Sequence, residues 1–365
     1  MKRTVIPYVI VLLFLTSCSV TLQGPKAPAL ETYMLIPPMK STMLCNGRHF
    51  VIDADIEWHT KDNKETDSYL KLPFIYRPRN TGNKKNDTLR GELLYRKGNF
   101  IVRDLVVLIP GTGENISTAG SAEALAEHGY DSVRFRSGIE IFDESLLNGK
   151  LALDEDEMRG FIRIGKERIR DRACDYVLAI HHLTQKLHYQ RIGISGVSLG
   201  GIFAPIVAHQ YPYITSTLIM ISGGGVADIL RHSTEKRIIT TRNRLQELFI
   251  GSEKRLWEIM REELWEIDPL RFANNTNPNR MRVIANYWDQ AVPFTAAVKL
   301  RNASNRPPLE IVLFPPGHYG SVLMLWVPIV RWIPLGECPL CIYYPTYGRV
   351  QDLNVDFFTQ TLPRP

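Results

Sequence analysis

Residues 189–203 read Tyr-Gln-Arg-Ile-Gly-Ile-Ser-Gly-Val-Ser-Leu-Gly-Gly-Ile-Phe. A short apolar strand (Ile192, Ile194, Val197) leads through Gly196-Val197-Ser198-Leu199-Gly200, a G-x-S-x-G, into small residues that open a helix. No other stretch limits the possible folds as strongly. A serine on so sharp a strand-to-helix turn needs neighbours without Cβ two positions away on each side, or the backbone cannot fold back. The helix that follows aims its N-terminal amides and its positive dipole end at the serine oxygen. That position suits a nucleophile that takes on an acyl group and then releases it. The plainer reading is a glycine-rich strand–helix connection of any α/β protein.

The stretch resembles the nucleophile elbow of the α/β-hydrolase superfamily, which contains esterases, lipases, serine peptidases and thioesterases. In that superfamily the acid and the histidine follow the serine in chain order. The resemblance extends over roughly residues 69–335 and implies an α/β-hydrolase fold with Ser198 as nucleophile. Met281–Tyr287 reads as a strand, followed by Trp288-Asp289-Gln290-Ala291-Val292-Pro293. The superfamily's acid often sits in such an Asp-x-x-Val-Pro run, which points to Asp289; Asp228 and Asp268 are the alternatives. Glu310–Phe314 reads as the last strand and runs into Pro315-Pro316-Gly317-His318. A histidine there is where the superfamily keeps its base, so His318 is the candidate. The carboxylate orients the imidazole and stabilises it when charged.

Acyl transfer also requires two fixed N–H donors aimed at the carbonyl oxygen as it gains charge. One candidate is the amide of Leu199, next after the serine. The other lies in Pro110-Gly111-Thr112-Gly113-Glu114, directly after the apolar strand Asp104–Ile109. The superfamily more often has His-Gly at this place, so either the Gly111 or the Thr112 amide fits the role. Glu114 reads as a solvated loop acid.

Around these sites the pattern alternates. Tyr69–Arg77 and Leu89–Arg96 read as antiparallel strands, Ser117–Gly129 as a helix, Tyr130–Arg136 as a strand and Asp154–Leu187 as a long charged helix. Alternation at this spacing argues a parallel sheet with helical crossovers. After the strand Ser216–Ser222 the pattern changes: residues 226–280 hold no strand candidate and read as charged amphipathic helices, a cap or lid inserted before the acid-bearing strand. Its Trp257, Met260, Leu264 and Trp265 recur at helical spacing and read as core packing, with the lining of an acyl pocket as the sharper alternative. The core is thus expected over 67–225 and again over 281–365. Ser321–Leu335 is apolar but interrupted by Pro328, Arg331 and Pro334, and reads as the closing helix of the core; residues 336–365 look irregular.

The first 18 residues have a basic start and a short apolar run that ends Leu15-Thr16-Ser17-Cys18. The run is too short for a comfortable membrane span and reads as a secretory signal. Its end resembles a bacterial lipobox, which implies diacylation of Cys18 and a lipid anchor in the cell envelope, with the outer membrane or surface favoured over the inner membrane. Residues 19–66, rich in proline and polar residues, suit a tether and irregular lead-in. Cys45, Cys174, Cys338 and Cys341 remain, an even number that permits disulfides outside the cytosol. Cys338-Pro-Leu-Cys341 lacks a second pair to complete a zinc set and reads as a local disulfide or free thiols.

The net charge of +6 is spread over mixed-sign helices. No basic block interleaved with aromatics marks a nucleic-acid surface. The expectation is therefore a serine hydrolase acting on a small-molecule or lipid carboxylic ester, with no metal and no organic cofactor. A peptidase, an acyltransferase or an inactive surface lipoprotein of the same fold are the alternatives.

Overall fold

The structure is a computed structural model that describes residues 19–22, 42–45, 48–51, 56–59, 63–77, 88–98, 103–112, 116–136, 147–275, 277–312, 318 and 350–362. The strands are β1 (Ser19–Leu22), β2 (Thr42–Cys45), β3 (Arg48–Val51), β4 (Ile56–Trp58), β5 (Lys64–Glu65), β6 (Tyr69–Tyr76), β7 (Leu89–Arg96), β8 (Asp104–Ile109), β9 (Asp131–Phe135), β10 (Arg191–Val197), β11 (Ile214–Met220), β12 (Met281–Asn286) and β13 (Leu309–Val312). The helices are α1 (Ile116–Glu127), α2 (Glu155–Leu187), α3 (Leu199–Gln210), α4 (Val226–His232), α5 (Lys236–Leu248), α6 (Glu253–Leu264), α7 (Pro269–Phe272), α8 (Phe294–Ala303) and α9 (Val350–Thr361).

One 11-stranded sheet runs β1-β13-β12-β11-β10-β8-β9-β7-β6-β4, with β5 on β6; β2 and β3 form a separate pair. From β9 to β13 neighbouring strands are parallel. Antiparallel strands close both ends: β4, β6 and β7 at one, β1 at the other. Parallel strands covered on both faces must be apolar throughout, and every residue of β8 is buried. Leu105, Val107 and Ile109 point into the layer shared with α2 and α3, while Val106 and Leu108 point into the layer under α1 and α9. The central sheet with helices on both faces was expected from the alternation of elements.

Helix α2 starts where its chemistry dictates. The Asp154 side chain accepts from the Glu157 amide at 2.9 Å, and the Glu157 carboxylate accepts from the Asp154 amide at 3.3 Å. This reciprocal cap satisfies two donors that the first turn leaves open. Its Cys174 is disulfide-bonded, and β2, ending at Cys45, packs against the same helix.

Two segments are more ordered than their sequence pattern suggests. The lead-in contributes short strands, among them β1, β4 and β5, which add to the edges of the main sheet. Pieces of two to four residues carry no readable alternation. Likewise residues 350–361 form α9. Its Phe357 and Phe358, and Leu362 just after it, are buried in the α1 layer. A Cβ on Gly193, in the centre of β10, would overlap the Phe358 ring. Tyr130 donates to the Leu362 carbonyl at 3.2 Å, and Asn354 Nδ2 donates to Ser121 Oγ at 3.1 Å. The segment read as a closing helix, Ser321–Leu335, lies outside the described residues.

Between β11 and β12 the described residues hold helices and 3-10 turns but no strand. Trp257, Met260 and Leu264 are core: they are buried in the same layer as α2 and α3, while Trp265 is half exposed. Ion pairs join α6 to α2 along one line. Arg255 binds Glu155 at 2.5 Å, Arg159 binds Glu262 at 2.5 Å and Glu263 at 3.0 Å, and Arg163 and Lys166 reach Glu263 at 3.0 and 3.5 Å. Burial raises the pKa of Glu263, but the guanidiniums of Arg163 and Arg159 outweigh it and hold the carboxyl below its ordinary range. Hydrogen bonds from Arg255 and Arg159 bring Glu155 down to about 2.

Two outcomes follow from this packing. Phe358→Ala leaves a cavity against β10 and should lower unfolding stability by about 3–5 kcal/mol in urea titrations. The paired carboxylates have folded pKa values below their unfolded ones, so their contribution is present above the ordinary glutamate pKa of 4.5. It is lost as pH falls through the folded values. Thermal melts should therefore drop steeply below that pH, and Glu263→Gln should flatten the drop while lowering the neutral-pH melting temperature.

Candidate active site

Ser198 stands between β10 and α3 with φ 55° and ψ −121°. A positive φ on a residue with a Cβ is uncommon and costly. The glycines around it make the turn possible. A Cβ on Gly196 would enter the carbonyl of Gly200, and a Cβ on Gly200 would enter the carbonyl oxygens of Ile109 and Pro110 at the end of β8. A Cβ on Gly201 would run into the Ser222 side chain. Two backbone hydrogen bonds fix the turn: Ser198 N–H to the Met220 carbonyl and Gly201 N–H to the Ser198 carbonyl, both 2.9 Å. Although Ser198 occupies the N-cap of α3, its hydroxyl makes no capping bond.

That hydroxyl lies 2.8 Å from His318 Nε2. On the other side of the ring, His318 Nδ1 lies 2.8 and 3.0 Å from the two Asp289 oxygens. A carboxylate can only accept, so Nδ1 carries the proton and Nε2 is left to accept from the serine hydroxyl. The His318 and Asp289 side chains are 7% and 1% exposed, dry enough for these bonds to act at low dielectric. Asp289 is held by its own loop, since Oδ1 accepts from the amides of Ala291 and Val292 at 2.8 and 2.9 Å. Asn286 at the end of β12 shapes the approach: its side chain accepts from the Trp288 amide at 3.0 Å.

The structure therefore brings together Ser198, Asp289 and His318. The alternative acids are committed elsewhere. Asp228 pairs with Lys299 at 2.6 Å and Arg261 at 3.2 Å. Asp268 accepts from the amides of Gly225, Val226 and Leu270, while burial raises its pKa. Leu199 is the first residue of α3, so its N–H has no acceptor within the helix. Gly111 passes directly over the serine: a Cβ there would lie 3.2 Å from Ser198 Cβ and 3.6 Å from its Oγ. Thr112 is exposed. Glu114, Cys18, Cys338 and Cys341 lie outside the described residues, as does Cys45 beyond its backbone. Among the described residues no group of three or more His, Cys, Asp or Glu is placed to hold a metal ion, and no helix is long and apolar enough to cross a membrane.

The site also relies on residues that the sequence did not signal. Ile221, next after β11, has φ 52°, a conformation that is a genuine outlier for a β-branched side chain. Its amide donates to the Ile284 carbonyl at 2.7 Å, and this kink brings Ser222 against Gly201 and Gly223 against α8. No local residue preference announces such a kink; only the run Gly223-Gly224-Gly225 beside it hints at close packing.

No protein-family model matches the sequence, and no curated protein sequence matches it either. Solved structures do resemble the fold. An acetyl xylan esterase from Paenibacillus sp. R4 aligns with a TM-score of 0.55 at 13% identity, over 75% of this chain and 87% of that one. Acetyl Xylan Esterase 1 from Thermoanaerobacterium sp. JW/SL YS485 aligns at 0.53 and 13%, over 74% and 86%. An acylaminoacyl peptidase from Pyrococcus horikoshii aligns at 0.51 and 15%, over 81% of this chain and 42% of that one. With the sheet order and crossovers described above, these likenesses define the class: the chain has the α/β-hydrolase fold.

The glycine packing gives a direct check. Gly200→Ala forces a methyl group into two backbone carbonyls that cannot move aside. It should lower unfolding stability by about 1–3 kcal/mol, measured in urea against Gly160→Ala, whose added methyl meets nothing within 4 Å and whose backbone is helical.

Proposed function

We propose that the protein is a serine hydrolase of carboxylic esters, with Ser198 as nucleophile, His318 as base and Asp289 as the orienting acid. The observation that carries this reading is the unbroken line of hydrogen bonds from the Ser198 hydroxyl through the imidazole to the Asp289 carboxylate. His318 takes the serine proton as Oγ attacks the ester carbonyl. The amide of Leu199 faces the developing oxyanion from the start of α3, and the Gly111 or Thr112 amide faces it from the loop over the serine. The imidazolium, steadied by Asp289, then protonates the leaving alkoxide. Water repeats the sequence on the acyl-enzyme, and the acid departs. Two of the solved structures of like fold are esterases, which supports this substrate class.

The setting we propose is the cell envelope, with Cys18 diacylated. The basic and apolar sequence before Cys18 supports it. So does the disulfide at Cys174, since such bonds persist in oxidising compartments.

Ser198→Ala should lower hydrolysis of short-chain nitrophenyl esters by about 10⁴-fold or more and abolish labelling by a fluorophosphonate probe; Asp289→Asn should cost a similar factor in kcat. Undiminished labelling of the Ser198→Ala protein would refute the nucleophile assignment.

A further inference from the structure

β1 runs antiparallel to β13, with Ser19 opposite Val312, and Val312 lies opposite Asn286 of β12. Ser19, Val312 and Asn286 thus form one row across the sheet. At about 4.8 Å between strands, Ser19 lies roughly 10 Å from the end of β12. This is the carboxyl edge of the parallel strands, where Ser198 follows β10 and Asp289 follows β12. The basic and apolar residues 1–18 therefore join the folded domain at the rim of the candidate site, not on the opposite edge.

The next residues after Asn286 are Tyr287 and Trp288, 52% and 53% exposed. Tyr287 is wedged between Trp288, with ring centroids 5.3 Å apart, and Phe294, at 5.4 Å. Two large aromatic rings are held here in water beside a buried site. Such rings, apolar in body and polar at one end, are the side chains that favour the headgroup level of a bilayer. Acyl chains on Cys18, the residue before β1, would hold this rim against the bilayer surface.

We propose that this rim is a membrane-contact face, with Tyr287 and Trp288 seated in the headgroup region of a phospholipid bilayer beside Ser19, the residue that follows the acylated Cys18. The site then opens onto the bilayer, and its esters are acyl esters carried by that surface. The substrate part rests on the hydrolase reading; the membrane contact does not.

The test uses the full chain reconstituted into phosphatidylcholine vesicles, as wild type and as Ser198→Ala, so that contact is read without turnover. Vesicle lipids brominated near the headgroup end of the acyl chain should quench tryptophan fluorescence in both. Trp288→Phe should remove about a third of the quenched intensity. In a background with the serine intact, Tyr287→Ser with Trp288→Ser should lower hydrolysis of a vesicle-borne long-chain ester about fivefold, while a soluble short-chain ester changes by less than about twofold. Quenching indifferent to Trp288→Phe would overturn the proposal, as would an equal loss on both esters or a wild-type dimer that the double variant dissolves. Ester hydrolysis surviving in Ser198→Ala, with the Trp288-dependent quenching intact, would sink the hydrolase reading alone.

Discussion

The α-carbon of Gly200 lies against the carbonyl oxygens of Ile109 and Pro110 with no room for one more carbon. This backbone contact holds the end of β8, the end of β10 and the start of α3 in one place. Gly196 meets Gly200 in the same way. Between them the chain reverses so tightly that Ser198 takes a positive φ. That conformation costs of order 1–3 kcal/mol. The surrounding sheet offsets it, since Ile109, Ile192, Ile194 and Phe203 are all fully buried around the turn. The geometry lifts the hydroxyl away from the helix that it would otherwise cap, and His318 becomes its partner.

Strand polarity does the remaining work. β10, β12 and β13 run parallel, so the loops that follow them emerge on one edge. Residues 198, 289 and 318 come together because each lies just past its strand, although more than a hundred positions separate the first from the last. Each is then fixed locally. The serine is held by the Met220 carbonyl, and the aspartate by two amides of its own loop. The imidazole gains its orientation from these two neighbours. The serine and the aspartate are thus held by backbone groups, and the imidazole by the side chains of those two residues.

This explains what could be read in advance. Ser198 was visible because glycine is the only residue its turn tolerates, and Gly196, Gly200 and Gly201 stand at fixed offsets. The strands β8, β10, β11 and β12 were visible because burial on both faces demands apolar runs. β1, β4 and β5 were not, because two to four residues show no period, and β1 in addition pairs with β13 at the far end of the chain. α9 was hidden by its exposed Asp356, Thr359 and Gln360, which dilute the apolar face of Phe357 and Phe358. The positive φ of Ile221 left no mark at all, since it follows from how β11, α3 and α8 meet.

The two flanks of the site's edge are built on different principles. On one side, residues 226–280 pack into the layer of α2 and α3, and their polar contacts converge on Glu263, whose side chain is 8% exposed and bound by Arg159, Arg163 and Lys166. The outer pairs of this network sit in water, where solvent and salt screen them and each contributes little. The buried carboxylate differs: losing its partners would leave an uncompensated charge, which costs about 3–5 kcal/mol. That flank is thus locked, because any outward swing must break the pairs at Glu263. The other flank ends in β13 and the four residues of β1, with Tyr287 and Trp288 exposed beside them. The chain that carries Asp289 thus follows directly on exposed aromatic rings, whereas the chain between β11 and β12 is pinned to the core by ion pairs.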